Sequence, residues 1–358
     1  MLSAEEQERY SRHLKLPGFG PERQEALKAS RVLLVGAGGL GCPTALYLAA
    51  AGVGTLGIVD PDRVDVSNLQ RQVAHTTSRV GQLKTDSLIE TLTALNPLLT
   101  YQAHPMALTA ENVTGLIAAY DLVIDGTDNF ATRFLMADAC YLGHKPLLTG
   151  AVHQFAAQIA LFNGSPCYRC LFQAPPTQNA LAACADVGIL GVVPGTVGLM
   201  LATEAMKFLT DLPTPSQGAL LQYNALQQTL RSMPIEADPA CPLCSSQSTI
   251  HQVKAMAATC ASVPTGLEVT EIPAGVALID VREADEWAQG HIPGATHFAL
   301  SRLQAGENLA LDGPTVLYCQ RGRRSLIALQ LLNHPPQVFS LAGGYAEWLR
   351  RYPLVQAE

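Results

Sequence analysis

Nine cysteines are the residues with the most chemistry to offer. Four of them form two knuckles, "CYRC" at 167–170 and "CPLC" at 241–244, the spacing of a closed tetrahedral Zn²⁺ site. Such a metal, with every position filled by Cys167, Cys170, Cys241 and Cys244, has no open face for water and ties distant segments together. Paired redox cysteines would sit at a strand-to-helix junction, which neither knuckle does. Cys319 is a different kind of thiol. In "TVLYCQRGRRSLIALQLL" it stands between a strand-like and a helix-like run, and Arg321, Arg323 and Arg324 fall within the next five residues. The thiolate is the nucleophile, and it is favoured by nearby guanidinium groups and by the N-terminus of the helix beginning near Ser325. Backbone amides curling around the sulfur would add an anion-binding nest. Cys184, in "NALAACADVGILGVVPG", reads on local grounds as a small core residue, as do Cys42 and Cys140.

A second constellation lies near the other end. Gly36, Gly38 and Gly41 make Gly-x-Gly-x-x-Gly directly after the apolar run "RVLLV" and before the Ala-rich helical pattern "PTALYLAAAG". Missing side chains there let backbone amides approach phosphate at a helix N-terminus. Asp60, at the end of the next strand, can bond ribose hydroxyls. This fingerprint alone describes a nicotinamide dehydrogenase equally well. The surroundings add Arg71 and Lys84, the latter in the first turn of a helix carrying Leu88, Leu92 and Leu95. A cation there opposes the helix dipole unless a polyphosphate is adjacent, the plain alternative being a solvated lysine beside Asp86. Asp128, just past "LVIDGT", can hold Mg²⁺ on phosphates or cap the following helix.

These residues need an α/β scaffold. Strand, glycine loop, helix and strand make one βαβ unit, and "DLVIDGTDN" and "PLLTGAV" supply further buried strands around the helix near "TRFLMADACYLG", giving a doubly wound, Rossmann-like domain. "SAEE" at 3–6 is a capping box opening a helix at Ser3. A small, polar stretch follows, and the chain is expected to divide into a domain at 1–248, a linker at 249–264 and a second small α/β domain at 265–358. At 358 residues, with 15% charged residues and net charge −7, two enzyme-like domains are expected and nucleic-acid binding is disfavoured. The acidic start "MLSAEEQERY" lacks a signal-peptide pattern, no apolar run approaches a membrane span, and reduced thiols fit a cytoplasmic location.

Together "RYSRHLKLPGFG", "GAGGLGCPTALYLAAAGVG", "SNLQRQ", "GQLKTD" and "DGTDN" resemble the ubiquitin-activating-type adenylyltransferases that charge sulfur-carrier proteins for molybdopterin and thiamine synthesis, across about the first 245 residues. The resemblance implies ATP with Mg²⁺ and a structural Zn²⁺. It implies Gly39 and its loop near the phosphates and Asp60 on ribose. Ser67, Asn68, Leu69, Gln70, Arg71 and Lys84 are implied around the nucleotide, with Asp128 and Asn129 at the metal end. It implies a homodimer in which Arg12 reaches into the partner's site, and it promotes Cys184 to a catalytic loop that attacks the activated carrier or resolves a disulfide. From residue 265 onward, "LIDVREADEWAQGHIPGA", "YCQRGRRS" and "LAGGYAEWL" resemble a single rhodanese sulfurtransferase module, implying a persulfide on Cys319 cradled by amides from Gln320 to Arg324. Trp348 and His291 then read as packing and turn residues. The combined expectation is adenylation of the C-terminal glycine of a small ubiquitin-like carrier, followed by sulfur transfer to give a thiocarboxylate. A persulfide donor such as a cysteine desulfurase is the further partner, and molybdenum cofactor, thiamine and tRNA thiolation are among the pathways such carriers serve.

Overall fold

In the computed structural model, residues 1–173, 188–254, 268–273, 275–311, 313–333 and 335–352 are described. They fall into two compact units. Cys184 and most of the expected linker lie outside the described residues.

The first unit is built on an eight-stranded sheet in the order β3-β2-β1-β4-β5-β6-β7-β8. Its first five strands are β1 (Arg31–Val35), β2 (Thr55–Val59), β3 (Thr100–His104), β4 (Leu122–Asp125) and β5 (Leu147–His153). They run parallel. Every residue of β2 and β4 is buried, which is why they read as unbroken apolar runs rather than alternating ones: helices cover both faces. On one face the helices Gly41–Ala51 and Val192–Leu209 pack together. The helix Phe130–Leu142 buries Phe134, Met136 and Ala139 in a separate apolar cluster with Leu33 and Val123. The chain start keeps its capping box, with the Ser3 hydroxyl accepting from the Glu6 amide and Glu6 accepting from the Ser3 amide.

The sheet exceeds the four expected strands by the parallel edge strand β3 and by three antiparallel strands: β6 (Ala156–Phe162), β7 (Ala219–Asn224) and β8 (Thr229–Pro234). The β7–β8 turn escapes sequence reading because "ALQQ" contains neither glycine nor proline. Asn224 supplies the missing turn chemistry, its side-chain oxygen accepting from the amides of Leu226 and Gln227, and Gln228 takes a φ of +49°. Contrary to expectation, one apolar run does approach the length of a membrane span. The helix Val192–Leu209 is long and apolar enough, by length and composition, to cross a membrane. Its buried face, including Val193, Val197, Leu201 and Ala205, packs on β5 and the helix Gly41–Ala51, which explains that composition as a core helix.

The second unit holds a five-stranded sheet in the order β11-β10-β12-β13-β9, parallel throughout. These strands are β9 (Glu268–Val269), β10 (Ala277–Asp280), β11 (Thr296–His297), β12 (Thr315–Tyr318) and β13 (Val338–Leu341). β12 is buried along its whole length and delivers Cys319 at its C-terminal end. The helix Arg323–Leu331 follows, burying Ala328 and Leu329 against the sheet.

Candidate active site

Strand order reverses between β1 and β4, so the loops leaving these neighbouring strands border a crevice at their C-terminal ends. The glycine loop at 36–41 is one of them. Gly36 has a φ of +99° and a Cβ there would meet the Gly126 carbonyl; a Cβ on Gly41 would land on the Gly36 carbonyl oxygen. These two glycines close the turn and press the two loops together. Gly38 and Gly39 have more room, their nearest neighbours being Gln72 and, for Gly39, Pro194 and Arg71. Among the described residues the amides of Gly38, Gly39 and Leu40 meet no acceptor, and they lie at the start of the helix Gly41–Ala51. Unbonded amides at a helix N-terminus are an anion site.

Asp60 leaves the end of β2 and is 7% exposed. Its carboxylate accepts from the amides of Ala37 and Asp62 at 2.8 and 2.9 Å, which leaves lone pairs for further donors. Lys84 is the first residue of the helix Lys84–Leu95 and is buried; its ammonium sits 2.8 Å from Asp62 and 4.0 Å from Asp60. Its partners are therefore these two carboxylates rather than Asp86. Arg71 donates to the Ser67 carbonyl, holding its own segment, while Asn68 closes a capping box with Asp65. Ser67 and Gln70 are exposed and Leu69 half-buried on the same segment, and the Gln70 carbonyl lies against Gly191.

The loop after β4 is anchored by a pair the sequence reading passed over. Asp125, fully buried, accepts from the Thr127 amide and hydroxyl, the Thr149 hydroxyl and the Arg133 Nε at 2.9 Å. Arg133 also donates to the Thr127 carbonyl. This network fixes the strand-to-helix turn that carries Asp128, which is exposed and meets no partner among the described residues. The helix cap proves to be Asn129, whose side chain accepts from the Thr132 amide at 2.8 Å. Arg12, in the helix Ser11–Leu14, is exposed, and among the described residues no contact brings it to this crevice.

Cys167, Cys170, Cys241 and Cys244 converge so that all four sulfurs lie within 4.8 Å of one another. A tetrahedral zinc with bonds of about 2.3 Å places its sulfurs roughly 3.8 Å apart. The Cys167–Cys241 and Cys170–Cys244 separations of 3.5 and 3.3 Å fit that cage. Burial pushes the Cys167 and Cys170 thiols up; at Cys244 burial is outweighed by hydrogen bonds from Ser165 and the neighbouring thiols, and the thiol is lowered. Arg169, between two ligands, forms a two-pronged bond with Asp138 at 2.6 and 2.8 Å, which locks the knuckle onto the helix Phe130–Leu142.

Cys319 is buried, and its sulfur accepts from the Arg324 amide at 3.2 Å, with the Ser325 hydroxyl 3.8 Å away. The loop around it turns through Gly322 at a φ of +87°. Gly343 and Gly344 let the last helix approach so closely that the Tyr345 amide donates to the Cys319 carbonyl and the Ala346 amide to that of Gln320. A Cβ on Gly344 would strike the Cys319 carbonyl and the amides of Gly322 and Arg321. The three arginines are not equivalent. The Arg324 guanidinium makes a two-pronged pair with Glu286 at 2.5 and 2.7 Å, so its amide faces the sulfur while its charge faces a carboxylate; Arg321 and Arg323 are exposed. Arg282, buried on Asp280 and lying over the Tyr345 ring, donates to the Gln320 side chain and props the loop from beneath. His291 stacks on Trp287, and Trp348 on Tyr345.

Residues 10–243 match the ThiF family, and residues 268–351 match the rhodanese-like domain. Over 370 residues the chain is 40% identical to the probable adenylyltransferase/sulfurtransferase MoeZ of Mycobacterium tuberculosis (strain ATCC 25618 / H37Rv), covering 98% of this chain and 94% of that protein. The sulfur carrier protein adenylyltransferase of Thermus thermophilus is 46% identical over 263 residues, 72% of this chain and 97% of that protein. The adenylyltransferase and sulfurtransferase MOCS3 of Drosophila sechellia is 39% identical over 372 residues, 95% and 82% respectively. Among solved structures, E. coli MccB with ATP superposes with a TM-score of 0.59 over 66% of this chain and 74% of that one, at 20% identity, a likeness of fold. With its crevice at the β1–β4 reversal, its four-cysteine cage and its cysteine loop at the end of β12, the chain belongs to the ThiF family and carries a rhodanese-like domain beyond it.

Proposed function

We propose that this chain activates the C-terminal glycine of a small ubiquitin-like sulfur-carrier protein with ATP and then delivers sulfur to it. The carrier's carboxylate attacks the α-phosphate, forming an acyl-adenylate and releasing pyrophosphate, because a carboxylate is a poor electrophile without such a leaving group. The amides of Gly38, Gly39 and Leu40 receive phosphate oxygens, Asp60 takes the ribose, Asn68 donates to the polyphosphate, and Arg71 and Lys84 neutralise its charge. On nucleotide binding, Lys84 exchanges Asp62 for phosphate. Asp128, exposed on the loop after β4, would hold Mg²⁺, which would supply charge neutralisation for the leaving pyrophosphate. Cys167, Cys170, Cys241 and Cys244 would hold Zn²⁺ in a structural role, since they fill all four of its positions. Arg12 serves the partner subunit's site in a homodimer.

Sulfur arrives from a persulfide donor such as a cysteine desulfurase and rests on Cys319. The terminal sulfur of that persulfide attacks the adenylate carbonyl, and AMP departs with the bonding pair, leaving an acyl disulfide. Thiolate attack by Cys184 on the Cys319 sulfur breaks the S–S bond, releases the carrier thiocarboxylate and forms a Cys184–Cys319 disulfide, which a cellular dithiol then reduces. A single observation carries the reading: one chain holds both a cradle of unbonded amides for phosphate and a buried thiol facing a loop amide. Isotope exchange between pyrophosphate and ATP tests it. Exchange that depends on the carrier is expected, and a nicotinamide-binding protein or a passive scaffold would give none.

A further inference from the structure

Beneath the glycine loop lies a buried group that the reaction above does not use. His75 is 5% exposed, with Nε2 3.0 Å from the Ala37 carbonyl and Nδ1 2.9 Å from the Ser87 hydroxyl. A carbonyl oxygen only accepts, so Nε2 carries the proton and Nδ1 accepts from Ser87. Burial holds His75 below its ordinary value, which agrees with a neutral ring. Cys42 also donates to the Ala37 carbonyl, at 3.4 Å, and its own thiol is pushed by burial to about 12, so it stays a donor rather than a nucleophile.

The opposite edge of the same residue is held as well, since the Ala37 amide donates to Asp60 at 2.8 Å. A trans peptide is planar, with its C=O and N–H pointing opposite ways. Pinning the Ala37 oxygen down onto His75 therefore turns the Gly38 N–H away from the core, and that amide has no acceptor among the described residues. A glycine at 38 would otherwise let this peptide flip at little cost.

We infer that His75, oriented by Ser87, is a positioning residue for nucleotide binding: by holding the Ala37 carbonyl it aims the Gly38 amide at the phosphate. This rests on the adenylating reading above. His75→Leu removes the donor, while His75→Gln offers an amide N–H at about the place of Nε2. The test measures KM for ATP and kcat in carrier-dependent pyrophosphate exchange, together with ATP Kd by calorimetry. The loss of one oriented hydrogen bond predicts KM and Kd raised about 3–10-fold in His75→Leu, with a smaller change in kcat. His75→Gln is expected to recover most of the loss, and Ser87→Ala to raise KM in the same direction by a lesser factor. Values for His75→Leu within error of wild type, or His75→Gln as poor as His75→Leu, would overturn the assignment. If His75→Leu fails to fold, Ser87→Ala decides, and an unchanged KM there rejects it. Absence of exchange in the wild-type chain would instead strike the adenylating reading itself.

Discussion

The chemistry of Cys319 is set by which parts of its neighbours face it. Three arginines suggest a strongly positive pocket, yet the Arg324 guanidinium pairs with Glu286, and it is the Arg324 backbone amide that donates to the sulfur. The amide is a fixed dipole, which needs no reorganisation when negative charge develops. The hydrogen bond from Arg324 holds Glu286 below its ordinary carboxylate value of 4.5. A carboxylate depressed in the folded state stabilises it above the unfolded value, and that contribution is lost as the pH falls through the depressed value. Between pH 5 and 3, wild type is therefore expected to lose more stability than Glu286→Gln, as followed by denaturant unfolding of the second unit at each pH; parallel losses would show that the pair contributes nothing. The amide was expected from the loop that follows Cys319, but the ion pair was not legible locally, because Glu286 and Arg324 are 38 residues apart. The cysteine itself was legible, since strand, thiol and arginines are contiguous in the chain.

At the level of elements, each site is a turn between a buried strand and a helix, and its precision comes from a second loop pressed against it. For the glycine loop that second loop is the turn after β4, tethered by Asp125 and Arg133; for Cys319 it is Gly343–Gly344. Gly344→Ala is expected to cost about 2–4 kcal/mol, because the φ of +60° disfavours any side chain and a Cβ would strike the cysteine loop. Sulfur transfer should fall by roughly 100-fold through misplacement of the loop, with pyrophosphate exchange unchanged. Thermal unfolding and a persulfide-transfer assay check the two halves; an active, stable variant would contradict the packing argument. The strands β1, β2, β4 and β5 were readable from their apolar runs, whereas the partly exposed edge strand β3, of sequence TYQAH, was not, and neither were β6–β8, because the β7–β8 turn depends on Asn224 and Gln228 rather than on glycine or proline. Asn129 as helix cap, in place of Asp128, likewise rests on a one-residue difference in where the helix begins.

Across the whole molecule, the cysteine cage closes a long excursion: Cys167 and Cys241 are 74 residues apart, and the segment between them includes the helix Val192–Leu209 that covers the sheet. Removing zinc with a chelator should lower the melting temperature of the first unit by about 5–10 °C, given roughly 2–4 °C per kcal/mol for a domain of this size. Calorimetry with and without chelator reads this, and an unchanged transition would mean that the cage holds no stabilising metal. The spacing of the knuckles made that cage legible from sequence. Which residues answer to ATP and which to the carrier's sulfur depends on what the two units do in succession, and that is best measured in one reaction. The purified chain is incubated with ATP, a ubiquitin-like carrier and a persulfide source, and the products are weighed by mass spectrometry. The expected products are AMP and a carrier whose terminal carboxylate has exchanged one oxygen for sulfur, with Cys319→Ser forming the adenylate but no thiocarboxylate. A carrier that never becomes adenylated, or a thiocarboxylate formed equally well by Cys319→Ser, would contradict this reading.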